Sequence, residues 1–260
     1  MVALALIALY GVLSGAADRI DGMARAAAAG EQALEIIVAH ARLAGMPQLF
    51  PLPLPEADEE REPGGGSGDP VNEPIVHSSV PLSIFGCDRA TSRHDQGGQR
   101  ATVKRDSDSV TFRYAADAIA TWTSKHGRPI DCLGQNVAGD TVVVRFHVGS
   151  QSATDAPELY CRGNGHNGPP QPLVGGIEQL RLSYWLVGAD APVRASSISD
   201  SDWRRVTAID ICVVARGPAA VRPMAYLDCD GNSVLPGDRR VRIALARRVA
   251  IRNIAREAAG

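Results

Sequence analysis

The sequence lacks the features by which most enzymes and metalloproteins are recognised. Its 260 residues have a formal net charge of only −2, which gives no overall field for nucleic acid or anionic lipid. It has no P-loop, no G-x-S-x-G elbow and no H-E-x-x-H motif. No nucleophile, base and orienting group can be assembled from local motifs, so we do not expect an enzyme. With 45% hydrophobic residues, the chain can still bury a substantial core.

The spacing of the cysteines and the sequences of two loops do not fit known metal or cofactor sites. The cysteines form no C-x-x-C pair, which excludes the usual spacing of a zinc or thioredoxin-like site. Residues 163–168 match G-x-G-x-x-G, but prolines follow where a dinucleotide site needs a helix, so a surface loop is favoured. Residues 228–232 carry clustered oxygen ligands, but no Glu closes the loop as in an EF-hand. We therefore predict no metal and no cofactor, and expect His40 and His147 to be packing residues.

The N-terminal region predicts one long helix with two parts. Residues 1–17 carry no charge and predict a membrane-embedded apolar helix, although a buried core helix is the alternative. Residues 18–45 contain no proline and predict an amphipathic continuation of that helix. The residues expected to pack on the rest of the protein follow the i, i+3, i+4, i+7 spacing of one helix face: Leu34, Ile37, Val38 and Ala41.

The remainder of the chain predicts a linker followed by a β-rich domain. Residues 46–84 are rich in proline and glycine and are predicted to form a loop or linker. If residues 1–17 are embedded in a membrane, we expect residues 85–260 to form an extracytoplasmic domain. Alternating apolar residues predict strands at 109–114, 141–148, 179–187, 206–214 and 241–251. A short helix is expected near residues 114–124. Strands follow strands with little room for crossover helices, so the fold class is α+β: a long N-terminal helix packed on a mainly antiparallel sheet.

Arginines crowd the C-terminal strand and form a candidate basic contact surface, composed of Arg240, Arg242, Arg248 and Arg252. Alternation with apolar residues favours an edge strand with arginines facing outward. Such a surface could contact an acidic partner subunit or DNA. Because no aromatic residues are regularly interleaved to stack on bases, nucleic acid is not favoured.

Several motifs occur in the order typical of the PilW-like minor pilins of type IV pili. Residues 1–6 resemble the stretch that follows the processed N-terminus of that family, and residues 41–45 (ARLAG) with 85–87 (FGC) resemble its helix end. Further similar segments are 131–134, 159–161, 172–180, 203–216 and 248–253. The sequence thus resembles the pilin and pseudopilin superfamily over most of its length outside residues 46–84.

The resemblance implies a minor pilin-like subunit that contributes to assembly and priming of a type IV pilus at its tip complex. It implies no catalysis. Its partners would be other minor and major pilins and inner-membrane assembly components, in a hetero-oligomer held to the membrane by the N-terminal helix. The protein would lie in the bacterial inner membrane with a periplasmic domain, and in the pilus when assembled. The alternatives are a minor pseudopilin of a type II secretion system, or a DNA-binding or adhesive tip subunit.

The resemblance also concerns the N-terminus. The sequence lacks the prepilin peptidase site and the acidic residue near the mature N-terminus of such pilins. We therefore expect the DNA upstream of the Met1 codon to encode, in frame, a short basic leader and then this acidic residue as a Glu.

Strand order predicts how the cysteines pair. Cys132 and Cys161 flank the strand at 141–148, so a hairpin would bring them together as a disulfide. Cys212 lies in an apolar strand and is either inert core or close enough to bond Cys229.

Overall fold

A computed structural model of the chain describes residues 2–47, 82–89, 106–150, 156–219 and 223–251. Most of the predicted linker, residues 48–81, lies outside this range.

The N-terminal helix α1 runs over Val2–Leu43. It ends where Gly45 takes a left-handed backbone with φ of 74°, a conformation that glycine adopts without steric cost. The amide of Met46 donates to the carbonyl of Leu43 at 2.9 Å and closes the last turn. In the described part of the chain, no helix is both long enough and apolar enough to cross a membrane.

Five strands form the first sheet, in the order β1 to β5, and every neighbouring pair is antiparallel. Their bounds are Ile84–Cys87, Ser109–Ala115, Thr141–Gly149, Glu158–Gly163 and Gln171–Gly175.

The next two strands, β6 at Ile177–Leu186 and β7 at Val206–Ala219, are separated by short 3₁₀ turns at Ala195–Ser197 and Asp202–Arg205. A small hairpin of β8, Tyr226–Leu227, and β9, Ser233–Val234, precedes the last strand, β10, at Arg240–Ala250. The second main sheet has the antiparallel order β10-β7-β6. The predicted combination of one N-terminal helix with antiparallel sheets is therefore confirmed.

The prediction of a short helix near residues 114–124 is wrong. Strand β2 continues through Ala115, and a single turn follows. The Asp117 carboxylate accepts hydrogen bonds from the amides of Ile119 and Ala120 at 2.8 and 2.9 Å. These bonds have the geometry of an Asx turn or a helix N-cap, but only a single turn follows them.

One continuous apolar core joins the helix and both main sheets. Phe112 and Phe146 of the first sheet and Leu182 and Ile211 of the second are almost fully buried in it. Ile37 of the helix is equally buried. The helix contacts mainly β7 and β10, so the second sheet is the platform on which α1 lies.

Candidate interaction surfaces

The apolar face of α1 is buried along its C-terminal half. Leu34, Ile37 and Ala41 are 0% exposed and Val38 is 4% exposed. Burying a leucine or isoleucine side chain contributes roughly 1.5 to 3 kcal/mol, so these residues hold the helix firmly on the domain. The structure places all of the predicted packing residues together on this face.

Glycines of the helix and of β7 allow α1 to approach the second sheet closely. A Cβ atom added at Gly217 of β7 would collide with the carbonyl oxygen of Gly22. A Cβ at Gly30 would come within 2.5 Å of the Leu245 side chain of β10. The backbones of α1 and β7 therefore come into contact at Gly22 and Gly217, where there is no room for a Cβ atom.

His40 lies at the end of this buried face and is 5% exposed. Its Nδ1 shares a hydrogen bond of 2.8 Å with the Tyr114 hydroxyl. The rings of Trp122 and Phe146 lie 4.8 and 5.4 Å from the imidazole, centroid to centroid. Burial lowers the pKa of His40 to about 4, so the residue is a neutral packing group at physiological pH.

Both predicted cysteine pairs are brought together as disulfides. Cys132 and Cys161 have Cα atoms 6.5 Å apart, and those of Cys212 and Cys229 are 5.8 Å apart. The Asp131 carboxylate accepts a hydrogen bond from the Gly165 amide at 2.8 Å, which ties the two loops beside the first pair. The bonds therefore fix connecting loops to the sheets.

Arg242 departs from the expected outward arginine face. Its side chain is 9% exposed, and its Nε lies 2.6 Å from the Glu178 carboxylate of β6. Its Nη1 lies 2.5 Å from Asp238, and this hydrogen bond lowers the pKa of Asp238 to about 2. Two carboxylates accept hydrogen bonds from the guanidinium and neutralise its charge, which offsets the cost of burying it. Arg242 thus ties β10 to the sheet.

The described remaining members of the predicted basic surface, Arg240 and Arg248, have different surroundings. Arg248 pairs with Asp210 at 2.5 Å and stacks on the Trp185 ring at 4.2 Å. Arg240 is exposed, and Arg252 lies outside the described residues. The neighbouring Arg247 forms an ion pair with Glu31 of α1. Most of these charges therefore stabilise the edge strand and the helix contact.

A polar network centred on Asp108 was not predicted from the sequence. Asp108 is 0% exposed and accepts hydrogen bonds from the Leu182 amide at 2.8 Å and from Arg194 at 2.6 Å. Arg181 lies 3.6 Å away. Burial raises the pKa of Asp108, although these donors act in the opposite direction. No local motif signals this group, because Arg181, Leu182 and Arg194 lie more than 70 residues further along the chain.

The sequence similarity falls on the sheets just described. Residues 145–253 match the family described as type IV pilus-assembly protein W, and the predicted resemblance is confirmed. No curated protein matches the sequence. The solved structure of a type IV-like pilin from Thermus thermophilus is similar over 57% of this chain and 80% of that chain, with 16% identity and a TM-score of 0.35. A TM-score this low establishes no common fold. From within β3 to just beyond β10, the chain is therefore similar to type IV pilus-assembly protein W.

Proposed function

We propose that this chain is a minor pilin-like subunit that joins other minor and major pilins at the tip of a type IV pilus and primes fibre assembly. The observation that carries the proposal is the family match over residues 145–253. The order of elements supports it, because a single long helix precedes the matched antiparallel sheets. The role is structural rather than catalytic.

The helix has a free portion suited to contact with other subunits. Before Gly22, the described side chains are exposed or half-exposed, whereas from Gly22 onward one face is buried. Tyr10 is 74% exposed and Ile20 is 71% exposed. Large apolar side chains that the chain alone leaves exposed favour burial against a partner, so this portion supports assembly into a larger structure.

The cysteines support a location outside the cytoplasm. Disulfides persist in oxidising compartments such as the bacterial periplasm and are rare in reducing ones. The two pairs each join a loop to a strand of the domain that carries the family match. We therefore place the domain in the periplasm or in the pilus.

Deletion of the gene in the bacterium that encodes it tests the proposal. Surface fibres are counted by electron microscopy, and culture supernatants are assayed for the substrates of any type II secretion system. We expect loss of fibres, unchanged secretion and recovery of fibres by the wild-type gene. Normal fibres with lost secretion would replace the proposal with the pseudopilin alternative.

A pair of helix variants sharpens the test. Ile20→Gln removes an exposed apolar side chain without touching the core, and should restore fewer fibres than the wild type. Arg25→Gln alters only a surface ion pair with Asp21 and should restore them fully. Equal recovery by both variants would show that this helix face takes no part in assembly.

A further inference from the structure

The loop between β2 and β3 carries a surface that is both basic and apolar. This β2–β3 loop surface consists of five exposed residues: Ile119, Trp122, Lys125, His126 and Arg128. Ile119 is 71% exposed and Trp122 is 44% exposed. All five precede residues 145–253, so the family match does not account for them.

The acidic residues of the same segment face inward. Asp117 and Asp131 are the only acidic residues between positions 117 and 131, and both are buried. Asp117 accepts hydrogen bonds from the amides of its own turn. Asp131 accepts them from the amides of Leu133 and Gln135 at 2.8 and 3.1 Å. The exposed side chains of this segment therefore include basic groups but no carboxylate.

Lys125 and Arg128 are not neutralised by the rest of the domain. Neither side chain forms an ion pair or a hydrogen bond in the part of the chain that the structure describes. The exposed side chains of Arg25, Arg205 and Arg248, by contrast, each pair with a carboxylate. The two positive charges of the loop are therefore available to a partner.

Hydrogen bonds and packing hold the loop surface in one shape. The Ser124 amide donates to the Arg128 carbonyl at 2.8 Å, and the Ile130 amide donates to the Trp122 carbonyl at 2.9 Å. The Trp122 ring lies 4.8 Å from the His40 ring at the end of α1, centroid to centroid. The disulfide to β4 fixes the residues that follow. A surface ordered in this way loses little conformational entropy on binding.

The loop surface is remote from the exposed portion of α1. Ile20 and His40 are separated along that continuous helix by about 30 Å, at about 1.5 Å per residue. Trp122 contacts His40 and therefore lies toward the C-terminal end of α1. One subunit can thus meet one neighbour through the helix and another through the loop.

The composition of the loop surface indicates a protein partner. Tryptophan and arginine are enriched among the residues that dominate binding between proteins. DNA presents one negative charge for about every 1.7 Å of its axis, whereas the loop offers two unpaired charges on a chain whose net charge is −2. Single strands bind in grooves that carry several stacking rings, whereas this surface is a turn with one tryptophan and one histidine.

We propose that the β2–β3 loop surface docks an acidic segment of a neighbouring pilus subunit. Carboxylates of that segment pair with Lys125 and Arg128, and an apolar side chain beside them packs on Ile119 and Trp122. The same contact neutralises the unpaired charges and covers the exposed apolar side chains. The inference rests on the proposed function, because it names the surface through which the subunit meets a partner.

Carbodiimide cross-linking in assembled fibres tests the proposal. The reagent joins a lysine amine to a carboxylate in contact with it, with loss of water. Lys104 and Lys125 are the only lysines of the chain, so the full chain with Lys104→Arg and an epitope tag keeps one reactive lysine. Cells produce this chain in place of the wild type, and mass spectrometry of treated, sheared fibres identifies the peptides joined to Lys125. We expect an aspartate or glutamate of another pilus subunit.

Variants locate the contact. Arg128→Gln and Ile119→Gln change exposed side chains outside the core and should each lower the yield of the cross-link by about threefold or more. The matched control is Arg240→Gln, which removes an exposed arginine of β10 and should leave the yield unchanged. Equal yields in all three variants would contradict the assignment.

The outcomes separate this inference from the proposed function. If the chain is present in fibres but Lys125 forms no cross-link, or joins only a carboxylate of its own chain, the docking proposal is wrong and the proposed function stands. A DNA duplex retarded in a gel by the wild type and not by the Arg128 variant would identify a nucleic-acid surface instead. Absence of the chain from fibres that the cells assemble would overturn both.

Discussion

His40 should make the fold sensitive to mild acid. The residue is 5% exposed, and burial lowers its pKa from 6.5 to about 4. Its hydrogen-bond partner is the Tyr114 hydroxyl, whose own pKa is raised by burial and further by the Asp131 carboxylate, so Tyr114 does not titrate in this range. The rings of Trp122 and Phe146 also contact the imidazole.

The sign of the effect follows from proton binding in the two states. Below pH 6.5 the unfolded chain binds a proton at this histidine, whereas the native protein does not until about pH 4. The contribution to stability is therefore complete above pH 6.5 and is lost as the pH falls toward 4. At pH 4.5 the loss from this one group is about 2.5 kcal/mol, a large part of a typical stability of about 5 to 15 kcal/mol.

Urea unfolding at pH 7 and pH 4.5, followed by circular dichroism with the disulfides intact, measures this loss. His40→Gln keeps a polar side chain toward Tyr114 but cannot take up the proton. Between the two pH values, the wild type should lose about 2.5 kcal/mol more than this variant. The control His126→Gln replaces an exposed histidine and should behave like the wild type. Equal losses in the wild type and the His40 variant would refute the reasoning.

Three further substitutions test the packing. Gly217→Ala places a methyl group against the Gly22 carbonyl and should lower the free energy of unfolding by about 1 to 3 kcal/mol, measured by urea denaturation. Replacing both Cys132 and Cys161 by serine should lower it by about 3 to 4 kcal/mol, since the closed loop spans 29 residues. Asp108→Ala leaves two arginines without their buried carboxylate and should cost about 3 to 5 kcal/mol by the same assay.

Each of these losses has a control. Gly139→Ala adds a methyl group where nothing lies within 4 Å and should be nearly neutral. Asp190→Ala removes an exposed carboxylate and should change stability by less than about 0.5 kcal/mol. Peptide mapping without reduction should recover the Cys132 and Cys161 peptides joined, and alkylation of either thiol in unreduced protein would contradict the pairing. If the Asp108 variant is as stable as its control, the buried carboxylate does not stabilise the fold as described. If the Gly217 variant is as stable as its control, the close contact with α1 does not limit the side chain at that position.

The strands were predictable because burial on one face imposes a period of two. Predictions at 109–114, 141–148 and 206–214 correspond to β2, β3 and β7. Strand β7 continues to Ala219 through a glycine and a proline that predict a break, because this segment pairs with Arg242 and its neighbours in β10. Pairing with a distant strand thus outweighs local propensity.

The polar sites were less predictable, because strand register and not local sequence assembles them. Arg113, Arg145 and Arg162 line one cavity on the first sheet, yet they lie on three different strands and none belongs to a recognisable motif. Arg242 was expected to face solvent. The alternation of apolar and polar residues along one strand does not show that Glu178 of another strand lies beside it. The Cys132–Cys161 pair could be predicted because a hairpin around the strand at 141–148 brings the two thiols together, whereas the pairing of Cys212 with Cys229 stayed one of two alternatives.

The presence of this chain in purified fibres tests the account most directly. Pili are sheared from cells that carry an epitope tag on the protein, and gold-labelled antibody is located by electron microscopy, with untagged cells as the control. The account predicts label at fibre ends, in amounts far below those of the major subunit. Abundant, normal fibres from which the tagged protein is absent, although cells produce it, would contradict the claim that the chain is a pilus subunit.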